Sequence, residues 1–209
     1  METVVADVLW ARHGENVANL TRTLSYRVFD GDLTDAGRRQ ARELGERLAA
    51  AGGDRIGLLA CSPLRRAWQT ADIVGQRLGL PAATELDDLR EVNVGELDGR
   101  SDAEAWEIYA AVLAAWRAGD TLARFPGGEN RDELCARLLR ALTVVARSAP
   151  AERSLVVAHG ANLRAALPCL AGEPDPGTDL ATGGVAALRV RPSGLPEVRL
   201  VSWPGAAPG

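Results

Sequence analysis

The chain has 209 residues, 46% of them hydrophobic, which is enough for one domain with a sizeable core. Its net charge of -4, without any basic stripe or basic tail, argues against nucleic acid as the main partner. No apolar run reaches the length of a membrane span, and the acidic Glu2 and Asp7 make the start of the chain unlike a secretory signal. We therefore expect a cytoplasmic protein that does not bind a membrane.

Hydrophobic periodicity divides the chain into alternating strands and helices. Short apolar runs predict strands, whereas an apolar residue at every third or fourth position, as in Ala41, Leu44 and Leu48, predicts a helix. In chain order the predicted elements are a strand at 4–11, a helix at 34–51, a strand at 56–62, a helix from Ser62 and Pro63 to about Gly79, helices at 102–118 and 130–147, a strand at 153–160, a helix that includes 163–170, and a hairpin of 185–190 and 197–203.

The order of these elements predicts the fold class. Strands that alternate with helices form a three-layer α/β/α domain with a mostly parallel sheet, and we expect residues 1–209 to be one such domain. Residues 94–128 are rich in Gly and Trp and are predicted to form a small inserted lid. Thr34 and Ser62 are placed to cap the two helices that they precede.

The basic residues are all arginine, because none of the 24 Lys-or-Arg positions holds lysine. A P-loop nucleotide site and a pyridoxal Schiff base both need lysine, so these two classes are excluded. Arginine binds phosphate through a planar two-pronged fork. The arginines are therefore suited to binding a phosphorylated ligand, although the net charge of the chain is negative.

The cysteines offer no metal site. Cys61, Cys135 and Cys169 are odd in number and widely spaced, without a pair that has metal-ligand spacing. We expect them to be reduced thiols in the core, as is usual in a cytoplasmic protein.

The two histidines occupy matching positions. His13 lies in "VLWARHGEN" and His159 in "LVVAHGANL", so each follows a predicted strand and precedes a glycine. Ligands of a parallel sheet bind beyond the carboxyl ends of its strands, and both histidines should reach that edge. One histidine at such a junction is more often structural. Two in the same setting favour a functional pair.

Arginines near these junctions indicate an anion as the ligand. Arg12 precedes His13, and Arg65 and Arg66 in "CSPLRRAWQT" fall in the first turn of a predicted helix, where the helix dipole favours anions. Asn19 follows His13 within about two helical turns. A metal ion is the weaker alternative, because Arg12 would repel it and no carboxylate pair accompanies the imidazoles.

Five motifs, in family order, resemble the histidine phosphatase superfamily, specifically its phosphoglycerate mutase-like branch 1. They are "RHGE" at 12–15, "SPLRRAWQTA" at 62–71, "LREVNVGELDG" at 89–99, "PGGEN" at 126–130 and "VVAHGANLRA" at 156–165. The resemblance covers about residues 5–191, nearly the whole chain. It implies an enzyme that hydrolyses a small phosphorylated metabolite without a metal ion or other cofactor.

The resemblance also implies roles for individual residues. His13 matches the nucleophile that takes the phosphoryl group, and a neutral imidazole is chemically suited to that attack. Spreading the charge of the transferred group provides most of the catalysis in phosphoryl transfer. The residues that match the phosphate pocket are Arg12, Asn19, Arg66, His159 and Gly160.

Glu91 in "LRE" matches the proton donor of the family. It would protonate the leaving oxygen and then accept a proton from the attacking water. The acid-phosphatase and phytase branch instead carries an aspartate donor after the second histidine, where this chain has Gly160. The donor is therefore expected at Glu91.

The substrate side of the pocket departs from the family pattern. Asp32 stands where relatives often have proline, and the usual glutamine–glycine pair before it is replaced by "SYRVF". We expect Arg27, Glu129 and Asn162 to line the substrate. Arg22, Arg100 and Arg124 are further candidate anion contacts, although each is more often a solvated surface charge. Trp106, Tyr109 and Trp116 are expected mainly to pack helices.

Three alternatives to this phosphatase remain at the level of sequence, and a fourth is excluded. A phosphoglycerate-type mutase shares the same motifs, but mutases tend to be longer and more elaborately capped. "DGDLT" at 30–34 fits the aspartate pair of a magnesium-dependent haloacid-dehalogenase-type phosphatase, which normally also needs a lysine. A non-catalytic phospho-ligand-binding module would keep the pocket without turnover. A cysteine-dependent phosphatase fails, because Ala67 stands where an arginine would have to follow Cys61. A homodimer is a further expectation.

Overall fold

A computed structural model describes residues 5–52, 55–149, 153–192 and 196–204. Within these ranges no helix is both long enough and apolar enough to cross a bilayer. The strands and α-helices are β1 (Ala6–Arg12), α1 (Val17–Thr21), α2 (Asp35–Ala50), β2 (Ile56–Cys61), α3 (Arg65–Leu78), β3 (Thr84–Glu85), α4 (Ala103–Arg117), α5 (Arg131–Ser148), β4 (Arg153–Ala158), α6 (Gly160–Leu170), β5 (Val185–Arg191) and β6 (Glu197–Ser202).

The six strands form one sheet in the order β3-β2-β4-β1-β5-β6. β1, β2, β3 and β4 run parallel, whereas β5 pairs antiparallel with β1, and β6 antiparallel with β5. The mostly parallel sheet and the closing hairpin predicted from the sequence are thus confirmed. Residues 193–195 of the hairpin connection lie outside the described residues.

Helices cover both faces of the sheet. Trp10 and Val156 belong to a core that includes buried residues of α4, α5 and α6, while Ala11 and Val157 belong to a second core with α2 and α3. Neighbouring residues in β1 and in β4 therefore face opposite sides, as the two-residue period of a strand requires. This arrangement confirms the three layers of the predicted α/β/α fold.

Helix starts agree with the predictions at α2 and differ at α3. Thr34 caps α2, and its hydroxyl accepts a hydrogen bond from the Gly37 amide. The prediction that Ser62 caps α3 is wrong, since the helix begins at Arg65 and its N-cap is Leu64 without a side-chain hydrogen bond. The Ser62 hydroxyl instead bonds to the side chain of His159.

The prediction of three reduced cysteines is wrong for two of them. Cys135 on α5 and Cys169 on α6 form a disulfide, with their Cα atoms 6.4 Å apart, inside the range for such bonds. Their 34-residue separation gave no indication that these helices pack side by side. Cys61 is a free, buried thiol, as expected. Burial, and then the nearby Glu85, raise the pKa of Cys61 to about 12.

Residues 94–128 pack against the same core as α5 and α6. They contain a 3-10 helix (Gly95–Leu97) and α4, whose buried residues Ala105, Val112 and Trp116 belong to that core. The predicted boundaries of the α4 helix agree with the structure to within one residue at each end. The role of the segment as an inserted lid stays a prediction.

Candidate active site

The register of the sheet brings the two histidines together. Arg12, the last residue of β1, is paired with Ala158, the last residue of β4. The next residue on each strand is a histidine, and the ring centroids of His13 and His159 lie 5.2 Å apart. The carboxyl edge that the sequence predicts for both residues is therefore one site.

His13 is buried, with 3% of its surface exposed, and both ring nitrogens have partners. Arg66 donates from Nε to His13 Nε2 at 3.1 Å. Because an arginine can only donate, Nε2 carries the lone pair, and Nδ1 donates to the Gly14 carbonyl at 2.6 Å. Burial, Arg66 and Arg12 hold the pKa of His13 well below its usual value. His13 is thus a neutral imidazole whose Nε2 is available as a nucleophile.

Arg65 and Arg66 point in different directions from the first turn of α3. Arg66 is 3% exposed, and its terminal nitrogens donate to the Ser25 hydroxyl at 2.9 Å and the Ser25 carbonyl at 3.0 Å. The side chain of Arg65 is 60% exposed and pairs with Asp32 at 2.6 Å. The structure therefore places Arg66 in the site and Arg65 outside it.

His159 is held by the end of the neighbouring strand. Ser62 follows β2, and its hydroxyl lies 2.9 Å from His159 Nε2. His159 is fully buried, and its Nδ1 has no hydrogen-bond partner within the described residues. Burial, then Arg66 and His13, lower the pKa of His159 well below its usual value. A second neutral imidazole therefore lies beside the nucleophile.

Glu91 lines the same pocket as His13. One carboxylate oxygen accepts from the Val92 amide at 2.9 Å, and the other lies 3.9 Å from His159 Nδ1. Burial raises the pKa of Glu91, against the opposing effect of Arg66 and Arg12. A carboxyl group in this environment is equipped to hold and release a proton.

Arg12 reaches the site over Gly160. Arg12 Nη1 donates to the Leu180 carbonyl at 2.6 Å. A Cβ atom on residue 160 would lie 3.0 Å from Arg12 Cδ and 3.2 Å from the Leu180 carbonyl oxygen. Glycine at the start of α6 is thus explained by the close passage of this arginine.

Two asparagines at the start of α1 line the same pocket, and only Asn19 was predicted from the sequence. Asn19 is exposed and lines the pocket. Its side-chain oxygen Oδ1 accepts a hydrogen bond from the backbone amide of Asn16 at 3.0 Å. Asn16 also lines the pocket, is fully buried, and has no partner for its side-chain nitrogen within the described residues. Asn16 matched no motif that the sequence analysis used. Its signal was its position at the N-cap of α1.

Glu129 and Asn162 do not line the pocket, contrary to the prediction. Glu129 forms a buried ion pair with Arg137 at 2.7 Å, and its carboxylate also accepts from the Asn93 amide. Asn162 donates to the Leu89 and Arg90 carbonyls at 3.3 and 2.9 Å. Both side chains support the backbone on either side of Glu91 instead of contacting a substrate.

Arg137 is the centre of that support. Its guanidinium donates to the carbonyls of Asp88, Arg90 and Glu91 at 2.7 to 2.8 Å. It also donates to both carboxylate oxygens of Glu129. The guanidinium of Arg137, which is largely buried, thus attaches the backbone of residues 88–91 to α5. Arg137 was not predicted from the sequence, because it lies within an ordinary helical pattern.

Arg27 also lies outside the pocket that it was predicted to line. It is exposed, with its guanidinium 5.5 Å from the Tyr26 ring centroid and its amide bound to Asp98. The other three candidate arginines have partners elsewhere: Arg22 lies over Trp106, Arg100 pairs with Asp102 and Glu104, and Arg124 pairs with Glu133.

The aspartates of the "DGDLT" segment bind the start of α3. Asp30 accepts from the Arg65 amide at 2.8 Å, and Asp32 accepts from the Arg65 guanidinium. Across the described residues, no group of three or more His, Cys, Asp or Glu side chains could hold a metal ion.

The site opens into a pocket of about 650 Å³. Arg12, His13, Asn19, Arg66 and Glu91 line its near end, and residues of α4 and α6 line its far end. Trp106, Tyr109 and Trp116 line this far wall in addition to packing helices. Two neutral histidines and two arginines beside such a pocket define a site suited to a phosphoryl group.

Comparisons with known proteins agree with this class. The family model "Histidine phosphatase superfamily (branch 1)" matches residues 8–201. A metal-independent phosphoserine phosphatase of Arabidopsis thaliana is 32% identical over 166 residues, which are 79% of this chain and 68% of that protein. A 2,3-bisphosphoglycerate-dependent phosphoglycerate mutase of Methylobacterium sp. (strain 4-46) is 34% identical over 189 residues, covering 87% and 89%.

A solved structure is similar over almost the whole fold. A mycobacterial glucosyl-3-phosphoglycerate phosphatase superposes with a TM-score of 0.77 at 25% identity, covering 95% of this chain and 98% of that one. The chain belongs to the histidine phosphatase superfamily, branch 1. It is an enzyme of the phosphatase and mutase type that this superfamily comprises. The haloacid-dehalogenase alternative is therefore wrong.

Proposed function

We propose that the protein hydrolyses phosphate monoesters of small metabolites through a phosphohistidine at His13 Nε2. The observation that carries this proposal is the hydrogen bond from Arg66 Nε to His13 Nε2, since it leaves the lone pair on that nitrogen. The lowered pKa of His13 keeps the ring neutral near physiological pH.

In the first step His13 Nε2 attacks phosphorus and the bond to the ester oxygen breaks. Glu91 gives its proton to that oxygen, so the product leaves as a neutral alcohol. Arg12, Arg66 and Asn19 donate to the phosphoryl oxygens, and the displaced hydrogen bond of Arg66 Nε becomes one of these contacts. The charge of the two guanidinium groups stabilises the transferring group.

In the second step water attacks the phosphorus of phosphohistidine. The Glu91 carboxylate takes one proton from that water, and the phosphorus–nitrogen bond breaks. Inorganic phosphate leaves, and His13 returns to its neutral state with Nδ1 still bound to the Gly14 carbonyl. His159 contributes to the binding of the phosphoryl group beside His13.

Relatives support hydrolysis and also the closest alternative. The named relatives act on phosphoserine or glucosyl-3-phosphoglycerate, or are phosphoglycerate mutases. A mutase would return the phosphoryl group from His13 to a second oxygen of the same ligand instead of to water. We favour hydrolysis because the phosphoserine phosphatase and the glucosyl-3-phosphoglycerate phosphatase among these relatives are both hydrolases.

The direct test is turnover of p-nitrophenyl phosphate in EDTA by the wild-type chain and by His13→Ala. We expect metal-independent release of phosphate by the wild type and none by the variant. Loss of turnover on chelation would contradict the proposal, as would tight phosphate binding without turnover. Phosphate transfer between carbons of 3-phosphoglycerate, faster than phosphate release, would identify a mutase. Cytoplasmic location and a homodimer stay predictions from the sequence.

A further inference from the structure

The pocket extends well beyond the phosphate site, between the facing sides of α4 and α6. α4 contributes Trp106, Tyr109 and Leu113, and α6 contributes Ala165 and Pro168. These residues line the same cavity as His13 and Glu91. A cavity of about 650 Å³ is in the range for drug-sized ligands, roughly 300–1,000 Å³, and exceeds what a three-carbon phosphate ester needs.

The far wall presents apolar surface because the polar atoms of its indoles are already bonded. Trp106 Nε1 donates to the Arg22 carbonyl at 2.8 Å, and Trp116 Nε1 donates to the Ala123 carbonyl at 2.7 Å. Burial raises the pKa of Tyr109, so its hydroxyl stays protonated and is a polar group that one hydroxyl of a ligand can contact. A polyol at this wall would leave most of its hydroxyls without partners, which is unfavourable.

Two of the three arginines at the far end are already paired with carboxylates. Arg164 binds Asp175 at 2.7 Å and Asp179 at 2.5 Å, and Arg117 binds the same Asp175 at 3.0 Å. Arg131 donates to the Trp116 carbonyl at 2.7 Å, but within the described residues it has no carboxylate partner and its buried Nε has no hydrogen-bond partner. A second phosphate or a carboxylate here would have to displace an aspartate or compete near two of them. A second anion would therefore find one guanidinium without a carboxylate partner, that of Arg131, at an end that also holds two aspartates, so this end does not favour a doubly anionic ligand.

We propose that the preferred substrate is a phosphate monoester whose alcohol carries a bulky apolar group, such as an aromatic ring, that packs against Trp106, Tyr109 and Leu113. This inference rests on the proposed phosphatase function. The phosphoryl group binds at His13, and the apolar group fills the α4–α6 end of the same cavity. Three-carbon phospho acids and sugar phosphates occupy the near end without using that wall.

The test compares phenethyl phosphate with ethyl phosphate. Both have primary alcohols as leaving groups, so their intrinsic reactivities are similar and the difference reports on the added ring. We expect kcat/KM to be at least about 10-fold higher for phenethyl phosphate, since each buried methylene-sized group is worth roughly fourfold. 3-Phosphoglycerate, O-phosphoserine and glucose 6-phosphate should behave like ethyl phosphate.

A matched pair of tryptophan variants locates the effect. Trp106→Ala should lower kcat/KM for phenethyl phosphate about 10-fold more than for ethyl phosphate, and Leu113→Ala should act in the same direction. Trp68→Ala, which removes an exposed indole from α3, should not change the ratio between the two esters.

Equal kcat/KM values for the two esters would overturn the inference. A preference for a phospho acid that is lost in Arg131→Gln would overturn it as well. Neither result would contradict the proposed phosphatase function. Failure to hydrolyse any ester, p-nitrophenyl phosphate included, would overturn the proposed function and this inference together.

Discussion

The protonation state of His13 is determined by two contacts on opposite sides of its ring. The Gly14 carbonyl accepts from Nδ1, and Arg66 donates to Nε2. The sequence predicted the histidine and its neighbouring arginines from their positions at strand ends. It gave no indication of the tautomer, because that depends on which ring nitrogen faces Arg66 and which faces the Gly14 carbonyl.

Arg66 and Arg65 offer a comparison between neighbouring residues of one helix turn. Arg66→Ala should lower kcat by about 10²–10³-fold, because it removes a buried donor that faces the developing charge. Arg66→Lys should restore little, since an ammonium lacks the planar fork. Arg65→Ala should change kcat far less, because its side chain is exposed and paired with Asp32.

Steady-state kinetics on these three variants, with thermal unfolding as a control for folding, provide the measurement. A larger loss for Arg65→Ala than for Arg66→Ala would show that α3 enters the site with a different register.

Glu91 should control the alkaline side of the pH profile for kcat. The acid form is required to protonate the leaving oxygen, so activity is lost as pH rises through the pKa of Glu91. Burial raises that pKa, which moves the loss to a higher pH than for an ordinary glutamate. The pKa of His13 is lower than that of an ordinary histidine, so the nucleophile stays neutral at a lower pH. On the acid side, activity therefore falls only as the pH drops below the pKa of His13.

Glu91→Gln should therefore remove the alkaline limb and slow alkyl phosphates by roughly 10²-fold or more. Aryl phosphates, whose leaving groups need less protonation, should lose less. The comparison of kcat for phenethyl and p-nitrophenyl phosphate over a pH series measures both effects. An unchanged alkaline limb, or equal losses on the two esters, would count against Glu91 as the donor.

At the scale of elements, the attachment of the 88–91 backbone to α5 should matter for catalysis. Arg137→Met removes the cation that holds the Asp88, Arg90 and Glu91 carbonyls and leaves the buried Glu129 carboxylate unpaired. Breaking such a pair costs roughly 3–5 kcal/mol of stability. Below its unfolding temperature the variant should also resemble Glu91→Gln, with alkyl phosphates slowed more than aryl phosphates.

Arg140→Met is the matched control on the same helix. Arg140 pairs with the Asp88 carboxylate from an exposed position, so its loss should change stability and leaving-group dependence little. A uniform loss on both esters in Arg137→Met would indicate a structural role alone.

The elements themselves were largely predictable from periodicity, and parts of the site were not. α2, α4 and α5 begin and end within one residue of the expected positions, because their apolar spacing and their capping residues agree. Glu129 and Asn162 were assigned to the substrate because they lie in motifs. Their actual contacts are with backbone carbonyls and amides of a loop that is distant in sequence, which spacing along the chain does not report.

At the scale of the whole molecule, the disulfide between α5 and α6 was not predicted. Denatured and unreduced protein should therefore contain one titratable thiol, Cys61, and three after reduction. Reduction should lower the free energy of unfolding by about 4 kcal/mol at most on the chain-entropy scale. Thiol titration and thermal unfolding with and without reductant provide the measurement. Three thiols before reduction would restore the original expectation.

The topology of the sheet brings the two histidines of the site together. β1 and β4 are neighbours although more than a hundred residues separate them in the chain, and their last residues are in register. The next residue of each strand is a histidine, and only the fold makes these two residues adjacent.

The most direct test of this account is the identity of the residue that carries the phosphoryl group. Wild-type protein that is quenched during turnover and digested under alkaline conditions should yield a peptide with an acid-labile, base-stable phosphoryl group on His13. His13→Ala should yield none while retaining the fold. A phosphoryl group on His159, a base-labile adduct such as an aspartyl phosphate at Asp30 in place of the base-stable one, or full turnover by His13→Ala would contradict the account.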